Sequence, residues 1–577
     1  MTRRVLLVLS LSLTLLMGGT ASSPLQRTDI QRDLATLTQR GFTYRLPEND
    51  VIELTDPMSG EKHLKYLRES SEAQIRSWAA QRGIPILEID PSTVDTSRFA
   101  EWYTYWGQLP ISNGLGRPLV VGDVDRDGNA EVYGDSRIGL SFESRVYQID
   151  SIGSPKLLYI YDPRPGISRQ IADVDNDSLI NLAFTYAGFL RIYEQPSASE
   201  PPTNPEFEYA GWRFLSPGFT GIYIGRLDAD SLADYLYKGS ECDSVDTSDC
   251  ITKVYVAEYN SQIQNLIRVW STDFDLNGNV AGVGGFAVDD FDGDKNIEFA
   301  VAELGTHRVF VVENNTDNAY AWTWQDSTPF VNLYYTVSGD VDHDGKPEFF
   351  VGATSNGSWT TMYEADSDNH YSAKFIIHLL SGGLLDEPTY LTRDVDGDGV
   401  LELAILSGND LYIFKSRKDN AYYLWYLKRE DTKDAVQFYD FNNDGRLDFI
   451  ISKLRVDSLG RGVNYADYYG ATSLVSVKEP QVAPGQFALD QNYPNPFNPS
   501  TRIDYDLPEA GNVTLVVYDV LGRRVAELAK GYHEAGYHSV TWNASNQASG
   551  VYIVRFNATD VLGNAKYSRI NKLLLMK

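Results

Sequence analysis

Residues 335–353 read YTVSGDVDHDGKPEFFVGA. Two apolar runs rich in β-branched and aromatic residues flank a nine-residue acidic segment, Asp340 to Glu348, which argues for a β-hairpin with the acidic segment as its turn. The pattern recurs as DVDRDGNAE from Asp123, DVDNDSLIN from Asp173, RLDADSLAD from Arg226, DFDGDKNIE from Asp290, DVDGDGVLE from Asp394 and DFNNDGRLD from Asp440. Successive copies start 50, 53, 64, 50, 54 and 46 residues apart. Further aromatic strands, LLYIYD (157–162), AWTWQD (321–326), FIIHLL (375–380) and LWYLKR (424–429), precede most copies. About four short strands in roughly 50 residues make one propeller blade. Seven copies therefore predict an all-β, seven-bladed β-propeller, with EWYTYWGQ (101–108) supplying the missing outer strand of the last blade.

The loops have the chemistry of a hard-cation site. Calcium takes six to eight oxygen ligands, and acids at positions 1, 3 and 5 turn toward one point while position 9 closes the shell. A glycine at position 6 permits the sharp turn. The expected ligands are Asp123, Asp125, Asp127 and Glu131; Asp173, Asp175 and Asp177; Asp290, Asp292, Asp294 and Glu298; Asp340, Asp342, Asp344 and Glu348; Asp394, Asp396, Asp398 and Glu402; and Asp440, Asn442, Asp444 and Asp448. The Asp173 loop, with Ser178 at position 6 and Asn181 at position 9, is expected to bind more weakly. In the third copy Arg226 stands at position 1, where its guanidinium is expected to replace the cation beside Asp228, Asp230 and Asp234. The alternative for all the loops is a set of Asp-rich turns capped by their own backbone.

Residues 101–470, through this DVDxDGxxE core, resemble FG-GAP and VCBS repeats, the calcium-loop blades of integrin α-subunit propellers and of many secreted bacterial proteins. The resemblance implies calcium loops on one face of a seven-bladed ring and ligand contacts on the other. That other face would carry Arg164, Arg169, Trp359 and Tyr390, residue types suited to protein or glycan recognition.

The chain of 577 residues has 50 Lys+Arg against 79 Asp+Glu, a formal charge of −29. Such a balance argues against nucleic acid and anionic membranes and for cationic partners. Residues 1–22, MTRRVLLVLSLSLTLLMGGTAS, have the charged, apolar and small-residue regions of a signal peptide. No later run reaches the length of a transmembrane helix. Cys242 and Cys250 read as one disulfide closing a short acidic loop, or as two free thiols. Residues 23–100 suggest two short amphipathic helices around a strand-like VIELTD.

Past a linker at 471–485 the composition changes to short alternating strands with Gly, Pro and Asn turns, which reads as an immunoglobulin-like β-sandwich over 486–577. QNYPNPFNPST (491–501), YDVLGRRV (518–525), GYHEAGYHSVTW (531–542) and SGVYIVRF (549–556) resemble the type A C-terminal sorting domain of the bacterial type IX secretion system. The resemblance implies contact with that machinery and a secreted or outer-membrane surface location. No nucleotide-loop, zincin, serine-hydrolase or CxxC motif is present. The expected function is a calcium-binding surface module that adheres to protein or glycan; the alternative is a calcium-dependent polysaccharide lyase or hydrolase on the same scaffold.

Overall fold

The computed structural model describes the chain apart from residues 1–29, 32–33, 36–37, 39–42, 49–50, 56–61, 68–70, 112–118, 139–140, 150–154, 162–166, 175–178, 187–188, 195–204, 211–221, 229, 231, 243–249, 273–282, 304–306, 332, 383–387, 419, 431–434, 457–461, 473–486, 493, 534 and 561–562. The expected signal peptide and nearly all of the linker lie outside the described residues. The chain divides into two compact units, Met1–Ser473 and Leu474–Lys577.

Among the described residues of the first unit, seven sheets follow one another from residue 120 to residue 471, their strands within that range antiparallel and in sequential order. The first strand of each sheet packs on the first strand of the next, and that of the seventh (Ala435–Tyr439) packs on that of the first (Val120–Gly122), so the series closes on itself. The second strands Glu298–Glu303, Glu348–Thr354 and Glu402–Ser407 are buried at every residue, as follows when both faces of a sheet are covered by neighbouring sheets. One apolar cluster joins the third and fourth sheets through Leu236, Val256, Phe299 and Phe310, and another joins the seventh and first through Ile450, Tyr468, Val132 and Tyr147.

Closure depends on a strand from the far end of the sequence. Tyr103–Leu109 pairs antiparallel with Gly462–Ala471 and is the fourth strand of the seventh sheet. Phe99 and Trp102, just before it, pack their rings on Tyr426 of the sixth sheet, with centroids 5.4 and 5.7 Å away.

The segment before residue 101 packs on the repeats. Helix Glu72–Arg82, ended by Gly83 in the left-handed conformation (φ 70°), buries Ile75 and Ala79 in the same cluster as Phe349, Trp359 and Tyr363. The strand Ile86–Ile89 then adds to the fifth sheet in parallel, Ile86 opposite Ile376. Of the strand-like stretch expected at 51–56, Val51–Thr55 is the middle strand of a three-stranded sheet with Thr43–Glu48 and Lys62–Tyr66.

In the third sheet Cys242 pairs directly with Cys250 across two antiparallel strands. Antiparallel partners have Cα atoms 4.5–5.5 Å apart, within the span of a disulfide.

The second unit consists of a three-stranded and a four-stranded antiparallel sheet. Ile503, Tyr505 and Trp542 of one share a core with Val513, Leu515, Val554 and Phe556 of the other. The NYPNPFNPST stretch is structural. Asn492 Nδ2 donates to Thr501 Oγ1 (2.8 Å), Asn495 Oδ1 accepts from the Leu574 N–H (2.8 Å), and Phe497 packs on Trp542. Among the described residues no helix is long and apolar enough to cross a membrane.

Candidate metal centre

Each acidic loop joins the first and second strands of its sheet, and one backbone contact, or two, shapes it. The position-9 side chain accepts the position-2 N–H in all seven copies: Val124 to Glu131 (2.9 Å), Val174 to Asn181 (2.9 Å), Leu227 to Asp234 (2.8 Å), Phe291 to Glu298 (2.6 Å), Val341 to Glu348 (2.9 Å), Val395 to Glu402 (2.7 Å) and Phe441 to Asp448 (2.9 Å). The position-1 Asp accepts the position-6 N–H, as in Gly345 to Asp340 (3.1 Å) and Lys295 to Asp290 (3.1 Å). Position 6 has φ of 94° at Gly345 and 83° at Lys295, a region costly for a side-chain-bearing residue.

Among the described residues, two loops bring together all four acids. Asp290, Asp292, Asp294 and Glu298, and likewise Asp340, Asp342, Asp344 and Glu348, each offer a carboxylate oxygen within 4.8 Å of the others. Glu298 and Glu348 are fully buried; each spends one oxygen on the backbone and leaves the other, Oε1, without a protein partner. Burial, with a smaller contribution from neighbouring aspartates, pushes Glu298 up to about 9 and Glu348 up to about 10. Buried anions this close repel one another, and a hard cation with oxygen ligands is what the donor set fits.

The other loops differ in instructive ways. Asp123, Asp125 and Asp127 converge, but Gln148 Nε2 reaches Asp127 (2.6 Å) and Glu131 (3.3 Å). Burial first, then the nearby aspartates, pushes Glu131 up to about 8. Asp173 is described; Asp175 and Asp177 lie outside the described residues. In the third loop Arg226 is exposed, and Asp228 instead accepts the Asn318 N–H (3.0 Å) and converges with Asp230 and Asp317. The expected guanidinium substitution is thus corrected: this loop is completed by the neighbouring sheet. In the sixth, Lys415 Nζ lies 2.6 Å from Asp396, 2.9 Å from Asp398 and 3.3 Å from Glu402. In the seventh, Asp448 spends both oxygens on the N–H groups of Phe441 (2.9 Å) and Ala471 (2.7 Å), while Arg446 pairs with Asp444 (3.0 Å).

Sequence reasoning missed the residues that neighbouring sheets contribute. Asn318, Asn369 and Asn420 sit in left-handed turns (φ 56°, 54° and 55°) between the third and fourth strands of the fourth, fifth and sixth sheets. Each donates its N–H to the position-3 Asp of the preceding sheet: Asp228 (3.0 Å), Asp292 (2.7 Å) and Asp342 (2.7 Å). Each also donates its side-chain amide to a Glu of that sheet: Glu258 (2.7 Å), Glu313 (2.7 Å) and Glu364 (2.5 Å). The signal was present as Asp-Asn-x-Tyr, repeated at 51-residue intervals (369 − 318 and 420 − 369). Asn369→Gly keeps the turn but removes the amide from Glu313, and is expected to lose about 1.5–3 kcal/mol in urea unfolding. Asn369→Ala, which also strains the turn, is expected to lose about 1 kcal/mol more. A glycine variant as stable as the parent would remove the latch from the account.

The residues expected to face a ligand are corrected in part. Trp359 is fully buried, donates its indole N–H to the Ser355 carbonyl (2.6 Å) and stacks on His378 at 3.5 Å. Tyr390 is buried too, its ring lying over Gly352, where an added Cβ would come within 2.6 Å of it. Both fill the fold because their strands are covered on two faces. Arg164 lies outside the described residues, and Arg169 belongs to strand Ile167–Ala172, with its side chain outside the description.

Comparison with known proteins follows the same division. The model of the FG-GAP-like repeat matches residues 394–451, and that of the secretion system C-terminal sorting domain matches residues 491–567. No curated protein matches. Among solved structures, the extracellular domain of BT4673, described as a hybrid two component system of B. thetaiotaomicron, is 12% identical with a TM-score of 0.32. The match covers 82% of this chain, which spans only 59% of that one. The N-terminal domain of Nup159 is 10% identical over 67% of this chain and 99% of its own, with a TM-score of 0.37. A lectin of Agrocybe aegerita, which recognises non-reducing terminal N-acetylglucosamine, is 14% identical over 61% of this chain and 90% of its own, with a TM-score of 0.38. Residues 394–451 thus match an FG-GAP-like repeat, and residues 491–567 a secretion system C-terminal sorting domain, which marks the chain for export to the cell surface or outside.

Proposed function

We infer that this is a calcium-binding, seven-bladed β-propeller that acts as an adhesion module for a protein or glycan ligand, displayed or released after export. Each sheet of the closed series is one blade, and the sorting domain is an immunoglobulin-like sandwich. The observation that carries the calcium reading is the convergence of four acids in the fourth and fifth loops around a buried carboxylate oxygen without a protein partner. Fixed cations in these loops hold neighbouring blades in register and leave the opposite loops to meet a ligand. Arg164 and Arg169 remain the recognition candidates there, since Trp359 and Tyr390 belong to the core.

The test uses the mature chain against arrays of bacterial and plant polysaccharides and surface proteins, in calcium and in EDTA. Calcium-dependent retention without turnover is expected, weakened at least about tenfold by Arg164→Ala with Arg169→Ala, the scale of a hot-spot loss. Release of shortened oligosaccharides would replace the adhesive reading with a lyase or hydrolase.

A further inference from the structure

The sixth sheet reverses one charge. Facing position 9 across the second and third strands stand Gln148, Glu194, Glu258 and Glu313 in the first four sheets. Continuing the pairs Phe349↔Tyr363 and Leu403↔Phe414 by one residue puts Glu364 there in the fifth sheet and Lys415 in the sixth. The Lys415 ammonium touches three of the loop's four acids, with Nζ 2.6 Å from Asp396 Oδ2, 2.9 Å from Asp398 Oδ2 and 3.3 Å from Glu402 Oε1. Lys415 is nine-tenths buried, and its Nζ lies 5.1 Å from the centre of the Trp425 ring.

The place in the ring explains the exchange. The third, fourth and fifth loops are each latched by an asparagine in the hairpin joining the third and fourth strands of the next sheet. The seventh sheet has no such hairpin, because its third strand is Gly462–Ala471 and its fourth is Tyr103–Leu109 from the other end of the chain. The sixth loop therefore faces a seam between chain ends instead of a turn.

We propose that Lys415 is the resident cation of the sixth loop, tethered where the fourth and fifth loops take a divalent ion, so that the sheet beside the seam is closed to metal and keeps its loop folded without it. A buried ammonium already paired with three of the four carboxylates excludes a divalent ion from the oxygens it holds and offsets part of their charge, while Asp396 Oδ1 keeps no hydrogen-bond partner. Arg446 on Asp444 gives the seventh loop a tethered cation of its own. The closing seam then holds when calcium is scarce. This rests on the calcium reading of the fourth and fifth loops.

The experiment measures bound calcium on the mature chain by titration and elemental analysis, and melting in EDTA. Asp342→Asn is expected to lose one ion, whereas Asp396→Asn in the parent background leaves the number of bound ions unchanged. Lys415→Gln is expected to gain one ion, lost again on adding Asp396→Asn, and to melt lower than the parent in EDTA, with calcium restoring it. Loss of an ion from Asp396→Asn alone, or a Lys415→Gln chain that gains none and melts like the parent in EDTA, overturns the proposal. A parent that binds no ion while Lys415→Gln is still destabilised refutes the calcium reading instead and leaves Lys415 as the loop's counter-ion.

Discussion

Removing divalent cations with EDTA is expected to lower the melting temperature of the repeat unit by about 5 °C, and excess calcium to restore it. Two sites at a hundred times their dissociation constant each add about 2.7 kcal/mol by mass action, and about 5 kcal/mol together is a shift of that order. The metal-free protein should also depend on pH. Burial raises Glu298 to about 9 and Glu348 to about 10, from an ordinary value of 4.5. Between those values the folded chain holds protons that the unfolded chain has released, so stability falls as pH rises. In EDTA the melting temperature should therefore drop between about pH 5 and pH 9, and the increment from calcium should grow over the same interval as the ion takes the place of the protons. Asp292→Asn together with Asp342→Asn should abolish most of the increment. A melting point indifferent to calcium at pH 8 would leave the loops as self-capped turns.

Lys453→Met is expected to cost about 3–5 kcal/mol, the scale of breaking a buried ion pair from one side. Lys453 is 2% exposed and pairs with Asp467 (Nζ to Oδ2, 2.8 Å) and with Glu430, the residue just past the last strand of the sixth sheet. Asp467 also accepts from Gln108 Nε2 (2.8 Å), on the strand that closes the ring. Removing the ammonium leaves two acids facing each other at the seam, so denaturant unfolding should shift and protease should cut near residues 101–111 sooner. Adding Asp467→Asn should recover part of the loss, because one unpaired charge goes with it. An unchanged midpoint in Lys453→Met would show that the seam is held by the aromatic contacts of Phe99 and Trp102 instead.

The sequence by itself determined whatever is local. A nine-residue loop makes its own hydrogen bonds from position 2 to position 9 and from position 6 to position 1, so composition and spacing specify it wherever it occurs. Alternating flanks place it in a hairpin, and the interval of about 50 residues gives the repeat. The sorting domain was legible for the same reason, since the NYPNPFNPST contacts begin within one short stretch. Tertiary structure decided the rest through residues far apart in the chain. Whether an acidic loop faces an asparagine latch, an added glutamate or a lysine depends on which strand lies opposite and which sheet comes next, and these partners are 13 to 90 residues away. Trp359 and Tyr390 look like surface aromatics in loop-like sequence but are buried, because stacking covers both faces of their sheets. The helix Glu72–Arg82 and strand Ile86–Ile89 have no repeat to announce them; their place on the fifth sheet is fixed only by the apolar surface and open strand edge that the assembled ring presents.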